Sequence, residues 1–561
     1  MTTLLKNGTL VNVFTGCLEK TNILIENDKI VGVGDYYTDA DVVEDVTGKY
    51  ITPGFIDGHI HIESTTLNPS ELAKVTLPHG TTSLVADPHE IANVSGGNGI
   101  KYMLAASEGI PLSVYVMLPS CVPAAPMEES GATLTAADLS PLYQHPRVLG
   151  LAEMMNYVGV LYGDEDIKNK IADARKNRRT VDGHAPLLSG EALDKYIAAG
   201  IQTDHECSNY DEAVEKIRKG QWVMVREGTV TKNLEGLIEL FERPYSDRCL
   251  LVTDDRHPAD LITEGHIDNI IRLAVKKGKS AVTAIQMATL HAAQCFGLAY
   301  KGAIAPGYAA DILVLNDLDT VDVQDVYTGG KKIVEGKKVL EINAPAVPEE
   351  LTASVLNSLH LEALKPEDFY IQPKGKRCRV IKTVKNQVLT DEWITDIDFG
   401  KSNGVDTERD ILKLAVIERH KNTGHRGIGF ISGIGLKEGA IASTVSHDSH
   451  NLIVIGTNDE DMALAANHLI EIGGGYVAVK DGKVLADMPL PIAGLMSFNS
   501  AEKSAEINEK LRKTVYTLGV PTDIAPLMTM SFVSLSVIPS IKMTTRGLVD
   551  VNSQKLLSLY E

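Results

Sequence analysis

His59 and His61 close the apolar segment Tyr50-Ile-Thr-Pro-Gly-Phe-Ile-Asp-Gly-His-Ile-His61. On a strand, side chains two apart point to the same side, so both imidazoles can reach one cation while Ile60 turns away into apolar packing. Imidazole is the commonest metal ligand among side chains. The pair alone also fits two polar residues on an exposed strand face, so its meaning depends on what the rest of the chain sets beside it.

From Ile51 to Ala299 the chain repeats a short β-branched or apolar run, one or two polar residues, and an amphipathic stretch. There are eight such runs. Their C-terminal ends carry His59 and His61, Asp87-Pro-His-Glu90, Ser120-Cys121, Glu153, His184, Asp204-His205, Arg226-Glu227 and Asp254-Asp255. The intervening stretches have helical periodicity and end on glycines suited to helix C-caps, as in Gly190 to Gly200 and Tyr210 to Gly220. Strands alternating with helices specify a parallel sheet, and eight repeats specify an α/β fold of the (β/α)8 TIM-barrel type. Catalytic groups of such barrels lie on the C-terminal rim of the strands, where these polar residues fall.

Residues 1–50 read instead as short alternating strands, a texture that returns over 300–345 in Lys301 to Leu315 and Gly330 to Val339. The two flanks are expected to join into one small β domain around the catalytic barrel of 51–299. A link, Ala344-Pro-Ala-Val-Pro-Glu-Glu350, leads to residues 350–561, which mix strands (Asn451 to Gly456, Tyr476 to Gly482) with helices (Asp459 to Ile472, Ser500 to Leu518) and read as a separate α/β domain.

With 561 residues the chain exceeds one ordinary core. Its 44% hydrophobic and 23% charged residues are those of a globular protein, and no apolar run is long enough to span a bilayer. The start, Met1-Thr-Thr-Leu-Leu-Lys-Asn-Gly8, lacks the layout of a signal peptide, so a cytoplasmic location is expected. The six cysteines (Cys17, Cys121, Cys207, Cys249, Cys295, Cys378) are scattered without a Cys-x-x-Cys, which argues against a thiolate zinc site and a disulfide framework. A net charge of −20 disfavours nucleic acid and anionic membranes, because a polyanion needs Lys and Arg to replace its counterions. Small molecules are the expected ligands.

Taken in order, His59, His61, Glu153, His184, His205 and Asp254 are the imidazoles and carboxylates that suit a pair of first-row divalent cations. The pattern resembles the amidohydrolase superfamily: His-x-His on the first strand, a bridging residue from the fourth, a His from each of the fifth and sixth, and an Asp from the eighth. Many relatives bridge with a carboxylated Lys, whereas the fourth strand here supplies Glu153. Within the superfamily the chain resembles the adenine deaminase family. The matching segments are Pro53-Gly-Phe-Ile-Asp-Gly-His-Ile-His-Ile-Glu-Ser64, Ala86-Asp-Pro-His-Glu-Ile-Ala-Asn93, Val225-Arg-Glu-Gly228, Val252-Thr-Asp-Asp-Arg-His-Pro258 and Ser443-Thr-Val-Ser-His-Asp-Ser-His-Asn451.

That resemblance implies hydrolysis of adenine to hypoxanthine and ammonia in purine salvage, with two divalent ions (Mn or Fe foremost, Zn as an alternative) and a homo-oligomeric enzyme. Metal binding brings the pKa of water from about 15.7 to roughly 7, so hydroxide is available to attack C6 at neutral pH. Asp254 can take the water proton and pass it to the departing amine. N1 must gain a proton as C6 becomes tetrahedral, and Glu90 and His89 are the candidate donors.

Other readings compete at single positions. Glu90 can be an acidic residue favouring a helix N-terminus. Arg226 and Glu227 can form a structural ion pair, and His257 and His266 read as loop residues rather than ligands. Gly427-Ile-Gly-Phe-Ile-Ser-Gly-Ile-Gly435 lacks the spacing of a nucleotide fingerprint and reads as tight turns between strands. His447-Asp-Ser-His450 is open between a third metal site, an active-site contact and a capped loop, the loop being preferred. For the whole chain the rivals are a cyclic amidase, an amino-sugar deacetylase, or an inactive scaffold that would have no need of six ligands. The zinc deaminases with Pro-Cys-x-x-Cys are excluded by the cysteines.

Overall fold

The computed structural model describes residues 1–229, 231–385 and 387–561. Between Phe55 and Val252 the chain forms eight parallel strands, Phe55–Ile60, Thr81–Ala86, Ser113–Leu118, Val148–Met154, Thr180–Gly183, Thr203–Asp204, Trp222–Arg226 and Cys249–Val252. The first five pair in sequence order and the last three do likewise. Gln202 N donates to Val181 O at 2.9 Å between the two runs, and a parallel bridge between Ile60 and Asp254 closes the circle.

Alternation puts Ile56, Val85, Met117, Leu149, Met224 and Leu250 into one cluster with Phe296. This interior is filled by side chains, as small barrels require. Gly58 has to be small because a Cβ there would lie 2.5 Å from Leu250 Cδ1. The apolar plug leaves the polar residues only the C-terminal rim to occupy.

The flanking strands share one sheet, joined where Tyr50–Pro53 runs antiparallel to Ile312–Leu315 with Thr52 opposite Leu313. The C-terminal part has an eight-stranded sheet of its own. Helix Asp459–Ile472 packs on it, with Asn458 accepting from Asp461 N at its start and left-handed Gly473 at its end. The glycine-rich segment departs from the sequence reading. Arg426–Ser432 is a strand rather than a set of turns, and the turn glycines with positive φ are Gly433 and Gly435 beyond it. Gly427 serves a close approach, because a Cβ there would sit 2.0 Å from Thr544 O.

The C-terminal part docks on the rim of the barrel. Glu128 of the long loop after the third barrel strand accepts from Ser536 N at 3.0 Å and Ser536 Oγ at 2.7 Å. Asn451 Nδ2 donates to Glu129 O at 2.7 Å, and Ser497 N donates to Thr66 O at 2.9 Å. Among the described residues no helix is long and apolar enough to cross a membrane.

Candidate metal centre and active site

All six ligands named from the sequence converge on the rim. His59 Nε2 and His61 Nε2 face each other at 3.2 Å. Their other ring nitrogens are engaged: His59 Nδ1 lies 3.0 Å from Asp182 Oδ2, and His61 Nδ1 lies 3.1 Å from Asp87 O. Donation from Nδ1–H to these acceptors leaves both Nε2 lone pairs free and aimed at one point, the arrangement that orients imidazoles toward a metal.

Glu153 lies between two groups of rings. Its Oε1 is 3.4 Å from His61 Nε2, and its Oε2 is 2.6 Å from His184 Nδ1 and 3.2 Å from His205 Nε2. Asp254 Oδ1 is 3.2 Å from His61 Nε2, and Asp254 N donates to His59 O at 2.9 Å. These atoms form overlapping clusters of metal-ligating groups, nearly all buried. His205 Nδ1 is buried without a partner among the described residues. The donor chemistry therefore fits divalent cations, with one carboxylate placed to face two of them.

Electrostatics agree with that assignment. Burial alone would raise the Glu153 carboxyl, but the His184 ring, bonded to it, and His205 hold it well below the usual carboxylate range. Burial of Asp254 is likewise outweighed by the Arg226 guanidinium and by His61. Both groups stay anionic, the form in which a carboxylate can hold a cation.

The structure corrects the Arg226–Glu227 reading. Arg226 pairs with Glu206 and, at 2.5 Å, with Asp254 Oδ2, whereas Glu227 Oε1 accepts from Leu234 N. Glu206 was not singled out from the sequence. It lies 3.4 Å from His205 Nε2, and although partly buried its carboxyl is held down to about 2 by Arg226 and His184. Its place directly after His205 was the available signal.

Glu90 sits in the first turn of helix His89–Ala106, where an acidic residue suits the dipole, but its side chain is buried in the site. Ser64 Oγ is 2.8 Å from Glu90 Oε1 and 2.5 Å from Asp255 Oδ1. One hydroxyl proton cannot serve both oxygens, so one of the carboxyls supplies its own. Burial and the charges of Glu63 and Asp255 push Glu90 well above its ordinary range, which makes Glu90 that group. His89 Nδ1 is 3.2 Å from Asp87 Oδ2 and 3.5 Å from Glu153 Oε1, at the edge of the ligand cluster.

His447 and His450 stand in a turn tied to Ser446, the loop preferred from the sequence, and that turn also reaches the site. Both are buried in the docking face of the C-terminal part, with His447 Nδ1 3.5 Å from Glu90 Oε1 and His450 Nε2 3.9 Å from Glu90 Oε2. His257 lines a small cavity with Ser64, Asp255, His447 and Phe532. His266 is the loop residue expected from the sequence, standing just before helix Ile267–Lys276 and apart from the ligand cluster; its ring is fully buried, 2.8 Å from Thr81 Oγ1 and 3.2 Å from Asp57 Oδ2.

The amidohydrolase family matches residues 50–333, and the adenine deaminase C-terminal domain matches residues 387–555. A protein named adenine deaminase 2 from Carboxydothermus hydrogenoformans is 47% identical over 550 residues, covering 98% of this chain and 95% of that protein. The chain belongs to the adenine deaminase family. Adenine deaminases from Kosmotoga olearia (45% identical; 99% of this chain, 96% of that protein) and Desulfatibacillum aliphaticivorans (44%; 99% and 97%) show the same full-length likeness. Membership in the adenine deaminase family thus extends over the barrel and the C-terminal part together, the two pieces whose docking buries Glu90 against His447 and His450.

Proposed function

We propose that the chain hydrolyses free adenine to hypoxanthine and ammonia in purine salvage, with two divalent cations held by His59, His61, Glu153, His184, His205 and Asp254. The observation that carries the reaction is the 44–47% identity, along both parts of the chain, to proteins named adenine deaminase. Manganese, iron and zinc all suit the imidazole and carboxylate set, with manganese or iron preferred. When bound, the cations supply Lewis acidity that brings the pKa of water from about 15.7 to roughly 7.

The protein's own groups handle the protons. Glu90, protonated and buried beside Ser64, gives a proton to N1 as C6 becomes tetrahedral; the Glu90 O–H bond breaks and an N1–H bond forms. Asp254 takes the remaining water proton and gives it to the exocyclic amine, which leaves as ammonia when the C6–N bond breaks. The water oxygen becomes the C6 carbonyl oxygen. One water proton stays on N1 by way of Glu90, which is recharged in each cycle, and the other departs with the amine. Arg226 keeps Asp254 in place through its 2.5 Å contact, and His89 orders Asp87 beside the cluster. The six free thiols support a reducing, cytoplasmic setting.

The test is an ammonia-release screen over adenine, adenosine, cytosine, hydantoin and an N-acetylated sugar phosphate, with metal added back and metal content measured. Adenine is expected to turn over fastest with two equivalents bound. Faster release from adenosine overturns the choice of the free base, and less than one equivalent in a fully reconstituted protein overturns the metal pair.

A further inference from the structure

The segment Ser443 to Asn451 carries chemistry that the barrel does not need for its ligand cluster. It enters the site from the C-terminal part, with His447, Asp448 and His450 all buried. Asp448 Oδ1 lies 3.7 Å from His89 Nε2, and the two histidines face Glu90. Glu90 Oε2 and His450 Nε2 are both buried without a hydrogen-bond partner among the described residues, and they face each other.

The protonation of His450 follows from its other nitrogen. Ser446 N donates to His450 Nδ1 at 3.2 Å, so Nδ1 is the acceptor and the proton of the neutral ring sits on Nε2. Burial and the neighbouring His447 and Arg419 disfavour a charged ring. A nitrogen that bears a proton is not a metal ligand, so Glu90, His447 and His450 are not a third metal site, although their atoms cluster closely enough to look like one. The Nε2–H is instead a donor, and the acceptor in front of it is Glu90 Oε2. The 3.9 Å gap exceeds a hydrogen bond, and catalytic contacts of this kind shorten when substrate closes the site.

We propose that His450, supplied by the C-terminal part, is a positioning residue for Glu90: its Nε2–H donates to Oε2 and leaves Oε1, beside Ser64 at the cavity, as the oxygen that carries the proton for N1. This rests on the assignment of Glu90 as proton donor. It gives the C-terminal part a share in the reaction, since without it the buried Glu90 carboxylate left after proton transfer has no donor on Oε2.

The choice of variants follows from the backbone. His450 has φ of +51°, which Asn tolerates better than most residues. His450→Asn therefore keeps the turn but is too short to reach Glu90, whereas His450→Gln can restore an N–H near the same place. His450→Asn is expected to lower kcat about tenfold or more with KM within about twofold and metal content unchanged, and His450→Gln to recover most of the loss. In a Glu90→Gln background the same change should cost less than about twofold, because residues acting through one another are not additive. Equal loss in both backgrounds, no advantage of Gln over Asn, or loss that follows metal content overturns the proposal. The tautomer is a readout independent of turnover. Histidine-labelled protein should show His450 protonated on Nε2 by NMR; protonation on Nδ1 overturns the positioning role even where adenine is the substrate, while failure on adenine with the Nε2–H form present overturns the functional reading alone.

Discussion

The site has two walls, built in different ways. On the barrel wall every ligand sits at or just past the end of a strand, and the strands are hydrogen-bonded neighbours. His59 and His61 are each tied back through Nδ1 and meet at 3.2 Å. On the opposite wall, His447 and His450 arrive from a domain held by docking contacts such as Glu128 with Ser536; they stand 3.5 and 3.9 Å from Glu90, with His450 Nε2 and Glu90 Oε2 unpaired among the described residues. The difference teaches that the imidazoles of the first strand are oriented by the barrel's own hydrogen bonds, whereas the contact between His450 and Glu90 rests on how the C-terminal part docks. Rings oriented in advance suit cations, which tolerate little misplacement.

The sharpest break in this comparison is at Asp254, which belongs to the barrel wall but is held by Arg226 as well as by its strand. Asp254→Asn keeps the shape and loses the proton acceptor, so kcat should fall roughly 10²-fold or more while most of the metal stays bound. Metal analysis beside kcat decides it: a variant that loses both cations would make Asp254 chiefly a ligand. Next is Glu153→Gln, which removes the negative charge between two cations and leaves them to repel across a partly dry gap. Metal content should drop, and activity with it. If Glu153 itself supplies the carboxylate between the cations, wild-type protein prepared without bicarbonate should keep its metal and turnover; dependence on added bicarbonate would show that another group bridges.

The smallest effect concerns the docking itself. Burial and the nearby Asp448 push Glu128 up to about 8, although bonds from Ser536 oppose the shift. A carboxyl whose pKa is raised in the folded state binds more protons there than when unfolded, so stability declines as pH rises from about 4.5 toward 8. Glu128→Gln removes that penalty and keeps an oxygen to accept from Ser536. Its Tm should match the wild type near pH 4 and exceed it by a few degrees near pH 9. An equal or lower Tm at high pH would show that Glu128 is ionised in the interface at little cost.

The sequence reveals the two walls unequally. Six rim residues that the structure brings together could be named because a barrel strand carries its register in its own residues: an apolar run, a period of two, and then the polar group on the rim. Asp182 and Glu206 escaped notice although they are neighbours of ligands. Whether such a residue orients His59, as Asp182 does at 3.0 Å, or faces solvent depends on which ring lies across the barrel. Arg226 was read with its chain neighbour Glu227, but successive strand residues point to opposite sides, and its partners came from the adjacent strands instead. Gly427 and Gly429 read as turns because glycine usually marks one; here they line a strand crowded by Met543 and Thr544 more than a hundred residues later.

What the sequence determined by itself is the barrel, its rim and the imidazoles and carboxylates on it, because periodicity and strand ends are local properties of a chain. That His447 and His450 face Glu90, and that Asp254 is shared between a histidine and an arginine, were decided only by tertiary structure. The first depends on how the C-terminal part meets the barrel, through an interface in which no single residue carries a pattern, and the second on which strands lie side by side when the barrel closes.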